Sequence, residues 1–196
     1  MPAGMVAGIT AWRDHGTVTI AEAWPEHGEG FTIDELDRMP DDGHRYELLD
    51  GSLIVSPAPG LPHQRVAVVL THILELACPR ELVVFPNVNV RLAGASALEP
   101  DAVVARPTDF GGARLVGVPL LVAEILSPDS AMRDLNLKKA VYERSGVPSY
   151  WVIDPDLDRP ALRAFELSGG GYADEMVKTD SGWRFRVRKI DRFIAP

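Results

Sequence analysis

The sequence is poor in the residues that mark several protein classes. Cysteine occurs once, at Cys78, which excludes an intramolecular disulfide, and no Cys/His spacing of the zinc-binding kind is present. A reducing compartment is the simpler expectation. No run approaches the ~18 consecutive apolar residues that a membrane span needs, and the first residues, MPAGMVAGITAWRDHG, lack a basic start followed by a long apolar core. A soluble, cytoplasmic protein is therefore expected. Positive charge is short too: 20 Lys plus Arg stand against 28 Asp plus Glu, a net of −8. A molecule so charged does not attract polyanions as a whole, so any nucleic-acid site has to be a local basic surface, a dimer cleft or metal-assisted. Basic residues gather only late, in WRFRVRKIDRF (183–193), where Arg184, Arg186 and Arg188 alternate onto one strand face. A solvated outer face is the plain reading of that run. No helix-turn-helix or zinc finger is recognisable, and there is no internal repeat or low-complexity tract.

What is present suffices for a core: 196 residues, 46% of them hydrophobic, fit one domain. Residues 1–30 show no sustained period and read as a weakly ordered arm or an edge addition, with a single domain over 31–196. Thr32 followed by Glu35 is a capping-box pattern that starts a short helix, and Pro40 stops it. In RYELLDGSLIVSP two strand-like runs flank Asp50-Gly51, a pair suited to a two-residue hairpin turn. After the Pro/Gly break at 57–62, HQRVAVVLTHILELAC puts Val66, Val69, Leu70, Ile73, Leu74 and Ala77 on one side of a helix of about four turns. ELVVFPNVNVRLAGASALEPDAVVARP reads as two strands joined by a small-residue turn, with VPLLVAEILSP as a third. SAMRDLNLKKAVYERSGV is an amphipathic helix with a stop at Gly146, and PSYWVIDP is a buried strand after it. Strand, helix, strand over 119–154 is a crossover unit, so its strands should be parallel. ALRAFEL, GYADEMVKT and WRFRVR continue as an antiparallel extension. Trp151, Trp183 and Tyr150 read as packing residues.

Only a few polar residues sit where the pattern wants apolar ones. Asp101 heads the run in LEPDAVVARP, and Glu124 interrupts PLLVAEIL. An ionised carboxylate in a buried strand is costly unless something cationic meets it. If the two strands pair, both carboxylates project from one sheet face at the same end, where they repel unless a cation lies between them. A hard divalent ion is the natural partner, and magnesium characteristically takes one or two carboxylates plus water and substrate phosphate. Asp134, Lys138 and Tyr142 fall at successive i, i+4 spacings and share a helix face. Such an Asp/Lys pair is also commonplace on solvated helices, and Lys139 is the obvious rival to Lys138.

In this order, YELLDGSLIVSP, HQ, EPDAVV, VAEILSP, RDLNLKKAVY and GVPSYWVIDP resemble the Uma-type family of putative restriction endonucleases, a bacterial branch of the PD-(D/E)XK nuclease superfamily. The resemblance spans roughly residues 31–195. It implies an α/β (α+β) restriction endonuclease-like fold, a mixed sheet flanked by helices, and magnesium-dependent hydrolysis of DNA phosphodiester bonds, with manganese as the alternative ion. Carried over, Asp101 and Glu124 are the metal carboxylates, the carbonyl of Ile125 is a further ligand, and Lys138 holds or activates the attacking water. Glu47 matches an acidic position lining the site in related nucleases, against the simpler reading of a strand Glu paired with an arginine. His63, at the start of the long helix, is an accessory candidate or merely a helix-start residue; Asp134 and Tyr142 are accessory too. The chain departs from the superfamily pattern at Leu126, where a lysine is usual. A homodimer is implied by analogy with nucleases that cut two strands; neither a small organic cofactor nor a membrane is. Two other functions compete: a binding protein on the same fold, inactive or dependent on a partner, and a metal-dependent hydrolase of small phosphate esters.

Overall fold

The structure is a computed structural model and describes residues 19–20, 30–112, 114–127, 133–156 and 158–176. The expectations for most of the arm 1–30, for residues 130–132 of the second helix, and for Trp183 with Arg184, Arg186 and Arg188 lie outside those residues. Along the chain come β1 (Thr19–Ile20), α1 (Ile33–Leu36), β2 (His44–Leu49), β3 (Ser52–Pro57) and α2 (Leu61–Ala77). Four short strands follow: β4 (Val83–Phe85), β5 (Val90–Leu92), β6 (Ser96–Leu98) and β7 (Ala102–Ala105). After β8 (Phe110–Gly111), β9 (Arg114–Leu115) and β10 (Leu121–Ile125), a π-helical stretch (Arg133–Lys138) runs into α3 (Lys139–Arg144), and β11 (Ser149–Asp154), β12 (Ala161–Ser168) and β13 (Gly171–Met176) close the described chain.

Local chemistry explains the first elements. The Thr32 hydroxyl accepts from the Glu35 N–H while the Glu35 carboxylate accepts from the Thr32 N–H, a complete capping box. Thr32→Ala should cost about 1 kcal/mol, read as a lowered urea midpoint with an unchanged slope. Asp50 and Gly51 both take positive φ, 53° and 79°, as a two-residue turn that matches strand twist requires. They close the β2–β3 hairpin with Leu49 opposite Ser52.

Among the described residues the strands form two sheets rather than the one expected. A seven-stranded sheet runs β1-β3-β2-β6-β5-β9-β8 and a six-stranded one β13-β12-β11-β10-β7-β4. The crossover is as read: β10 and β11 are parallel, Ala123 opposite Trp151, whereas β11–β12 and β12–β13 are antiparallel. One apolar cluster joins the sheets, taking Leu49, Ile54 and Val90 from the first and Val103, Val122 and Tyr150 from the second. Trp151 packs in a second cluster under α2.

Two sequence readings need correcting. Residues 81–107 make four strands, not two, because Pro86 and Pro100 bring no N–H to a ladder and Asn87 turns the chain at φ 48°. Helix α2 begins two residues early, on Leu61-Pro62, with proline in the first turn where its missing N–H does no harm. Its buried stripe is Ala67, Leu70 and Leu74, against β4, β7 and β10; Val69 is exposed, and Val66, Ile73 and Ala77 are only partly covered. A helix on one sheet face buries a narrower arc than a helix between two layers, and Val69 falls outside it.

Candidate active site

The antiparallel pairing of β7 with β10 sets Ala102 opposite Ala123 and Val103 opposite Val122. One step further, Asp101 and Glu124 reach the same end of the sheet. Three other elements converge there. Strand β2 supplies Glu47 and Arg45, which share a face because they are two residues apart; the first turn of α2 supplies His63; the π-helical stretch and α3 supply Asp134, Lys138 and Tyr142. Single π turns recur at functional positions, and this one ends on Lys138.

Lys138 is the hub. Its Nζ donates to Glu47 Oε1 at 2.9 Å and to Glu124 Oε1 at 3.0 Å, with Asp134 Oδ1 at 3.8 Å. Glu124 Oε1 also accepts from Tyr142 Oη at 2.8 Å, while its Oε2 makes no hydrogen bond among the described residues. Asp101 Oδ2 accepts from the Ile125 N–H at 2.7 Å, and Asp101 Oδ1 from Arg45 at 3.3 Å. The second contact of Arg45 is the Glu99 carbonyl, 3.0 Å away, and the Glu99 N–H donates to Glu47 Oε1 at 2.9 Å. His63 Nε2 stands 3.1 Å from Asp101 Oδ2 and 3.1 Å from the Ile125 carbonyl.

Glu47, Asp101, Glu124, Asp134 and Lys138 are each no more than 2% exposed. Burial alone would push every carboxyl up. In Glu47 it is outweighed by Lys138, Arg45 and the Glu99 N–H, and in Asp101 by His63, Arg45 and the Ile125 N–H, so both are held below the usual range. Glu124 goes the other way: burial, with Asp134, Asp101 and Glu47 nearby, pushes it up to about 8 against the pull of Lys138. Lys138 itself stays charged, its burial overcome by Glu124, Glu47 and Asp134. Tyr142 is driven well up by burial and by Glu124, and so remains a phenol that donates. Tyr142→Phe should cost about 1.5–3 kcal/mol, the range for a hydrogen bond to a charged group, while the ring keeps its place 5.0 Å from that of Tyr150. Urea unfolding at pH 8 reads this loss.

All the residues singled out from sequence meet at this point, the Ile125 carbonyl included. The lysine that reaches the carboxylates is Lys138; Lys139 lies over the Phe165 ring, 4.2 Å from its centre. Leu126, at the usual lysine position, packs against the apolar cluster instead. Arg45 and Glu99 were missed, although Arg45 carries a signal in retrospect, a charge two residues before Glu47 on the same strand face. Two open clefts reach the site. One of about 530 Å³ is lined by Arg45, Glu99, Asn89 and Arg114, and one of about 820 Å³ by His63, Gln64 and Val84; Pro59 and Asn87 border both.

The donors suit a hard divalent ion in kind. Four buried carboxylates face one buried lysine and the partly covered Arg45, a surplus of negative charge, and Glu124 keeps one oxygen uncommitted. The cage is not preformed: among the described residues no three His, Cys, Asp or Glu side chains converge to hold a metal. Arg45, His63 and Lys138 occupy the carboxylates in its stead. Among the described residues, too, no helix is long and apolar enough to cross a membrane.

A family model described as "Putative restriction endonuclease" matches residues 33–188. Among solved structures, the chain is similar to a putative nuclease belonging to DUF820 from Anabaena variabilis ATCC 29413, with a TM-score of 0.62 and 17% identity over 83% of this chain and 98% of that one. At that identity the likeness speaks for the fold. No curated protein matches.

Proposed function

The chain belongs to the Uma2 family of putative restriction endonucleases, and from that premise we propose that it is an endonuclease hydrolysing DNA phosphodiester bonds with a divalent ion, magnesium or manganese, at Asp101 and Glu124. The observation that carries the reading is the pair of buried carboxylates at one end of β7 and β10 with Lys138 bonded to one of them. Asp101, the free oxygen of Glu124 and the Ile125 carbonyl are the groups that would hold the ion, which when bound supplies a Lewis acid for water and phosphate.

The chain's own groups do the rest. Lys138, kept charged by Glu47, Glu124 and Asp134, fixes the Glu124 carboxylate and sets a positive charge beside the place where charge builds on the phosphate. Tyr142 locks the same oxygen of Glu124 from the helix side. Arg45 and Arg114 at the mouth of the first cleft are the phosphate contacts that position a strand without reading its sequence. A homodimer would merge two such mouths into one cleft, gathering their arginines locally on a chain whose net charge is −8.

The test is a cleavage assay on single-stranded, double-stranded and supercoiled DNA with magnesium, manganese or EDTA, comparing wild type with Asp101→Ala. Metal-dependent nicking that falls to the EDTA level in the variant supports the reading. A second reading draws on the internal pairing of every site carboxylate with Arg45, His63 or Lys138: a DNA-binding protein that cuts only with a partner. Absence of cleavage with either metal, together with retained DNA binding, would favour it. Turnover of nucleotides but not of DNA would instead point to a hydrolase of small phosphate esters.

A further inference from the structure

We propose that the cleft beside Phe85 and Phe110 is a nucleobase pocket, in which an unpaired base of a single strand stacks on Phe85 while its phosphate stays with the arginines of the neighbouring cleft. This rests on the DNA reading above and adds the form of the substrate. The cleft has a volume of about 610 Å³ and is bordered by Phe85, Phe110, Asn87, Asn89 and Glu99, a size within the ~300–1,000 Å³ of small-molecule sites. Asn87, Asn89 and Glu99 also border the cleft that holds Arg45 and Arg114, so the two share a wall. A strand whose phosphates lie against the arginines can turn a base across it.

The lining suits a flat, neutral ring with polar edges. Among the described residues no lysine or arginine borders this cleft, whereas Glu99 does, so a phosphate is disfavoured there. Phe85 is 43% exposed, the single aromatic among the exposed large hydrophobic residues described. It lies on β4, at the edge of the six-stranded sheet, and its ring is tilted against that of Phe110, with centres 4.9 Å apart at 56°. Phe110 in turn packs on the apolar cluster that joins the sheets, which holds the pair in place. The tilted contact uses one side of the Phe85 ring and leaves apolar surface that a base would cover. The side-chain amides of Asn87 and Asn89 make no hydrogen bond among the described residues, and each offers donors and an acceptor to a base edge. In a duplex the faces of the bases are hidden in the stack, so a paired base cannot reach Phe85 without first being unpaired.

Fluorescence anisotropy of labelled oligonucleotides in EDTA at low ionic strength reads binding without cleavage. The full chain, as wild type, Phe85→Ala and Phe85→Leu, is titrated against a single strand, its duplex, and a deoxyribose-phosphate chain of equal length that carries no bases. Wild type should prefer the single strand to both other probes. Affinity for the single strand should fall about fivefold or more in Phe85→Ala and fall in Phe85→Leu as well, which keeps an apolar side chain and loses the aromatic face. Binding of the duplex and of the base-free chain should stay as in wild type. Should Phe85→Ala fail to fold, the leucine variant and the wild-type comparison of strands with and without bases still decide. Single-strand affinity unchanged in the variants, equal affinity for the base-free chain, or no single-strand binding by wild type would overturn the pocket; metal-dependent cleavage of DNA by the same preparation would leave the nuclease reading standing. Wild type that neither binds nor cuts DNA would overturn both.

Discussion

Replacing Lys138 by methionine is expected to destabilise the protein by about 3–5 kcal/mol, the range for breaking a buried ion pair by removing one partner. The methionine fills most of the space, so the loss is electrostatic. Nζ is the shared partner of Glu47 and Glu124, both fully covered, and without it, among the described residues, Arg45 and neutral donors are left to face them. Their pKa values then rise in the folded state above those in the unfolded chain. Each such carboxyl is tolerated while protonated and costs stability as it ionises, so the deficit should be largest near pH 8 and shrink toward pH 5. Urea denaturation of both proteins at the two pH values measures it. A deficit that does not narrow with falling pH would mean that Lys138 acts by packing alone. Metal-dependent cleavage should be lost as well, since Glu124 loses the group that orients it.

Glu124→Gln should pull stability and chemistry apart. In the wild-type protein burial pushes the Glu124 carboxyl up to about 8 from its ordinary 4.5. The folded form therefore holds this proton more tightly than the unfolded one, and its contribution to stability, complete at low pH, is lost as pH rises from about 4.5 to about 8. Glutamine keeps the shape and an oxygen to accept from Lys138 and Tyr142, and it never ionises. In metal-free buffer the variant should match wild type near pH 5 and exceed it at pH 8. In the cleavage assay with magnesium or manganese it should be inactive. A variant more stable and yet inert is the pattern of a residue kept for chemistry against the interest of the fold. Parallel stability profiles across this pH range would show that Glu124 titrates as an ordinary carboxylate.

The readable parts of this protein are those whose physics is local or repeats along the chain. Thr32 and Glu35 cap a helix within four residues, Asp50-Gly51 accepts two positive φ angles that few other pairs tolerate, and strand, helix, strand over 119–154 allows a parallel crossover of one hand. The strongest site signal was a mismatch: Asp101 and Glu124 are charged where their strands are otherwise apolar, and a buried charge needs a reason. Lys138 shares its helix face with Asp134 and Tyr142 by spacing alone. The divided sheet was not readable in this way, because a pairing pattern shows which residues face a core and not which other strand covers them.

By itself, then, the sequence determined the local turns and caps, the parallel crossover, and a short set of carboxylates with a lysine to explain. Tertiary structure decided which of these meet. Lys138 reaches Glu47 across 91 positions and His63 reaches the Ile125 carbonyl across 62, separations at which spacing carries no information. The choice of Lys138 over Lys139 follows from which helix face the sheet end covers. Arg45 and Glu99, ordinary charged residues in the sequence, join the site only because β2 and the β6–β7 connection lie against it. Contact energies between distant segments depend on three-dimensional position, and only the assembled sheets supply that.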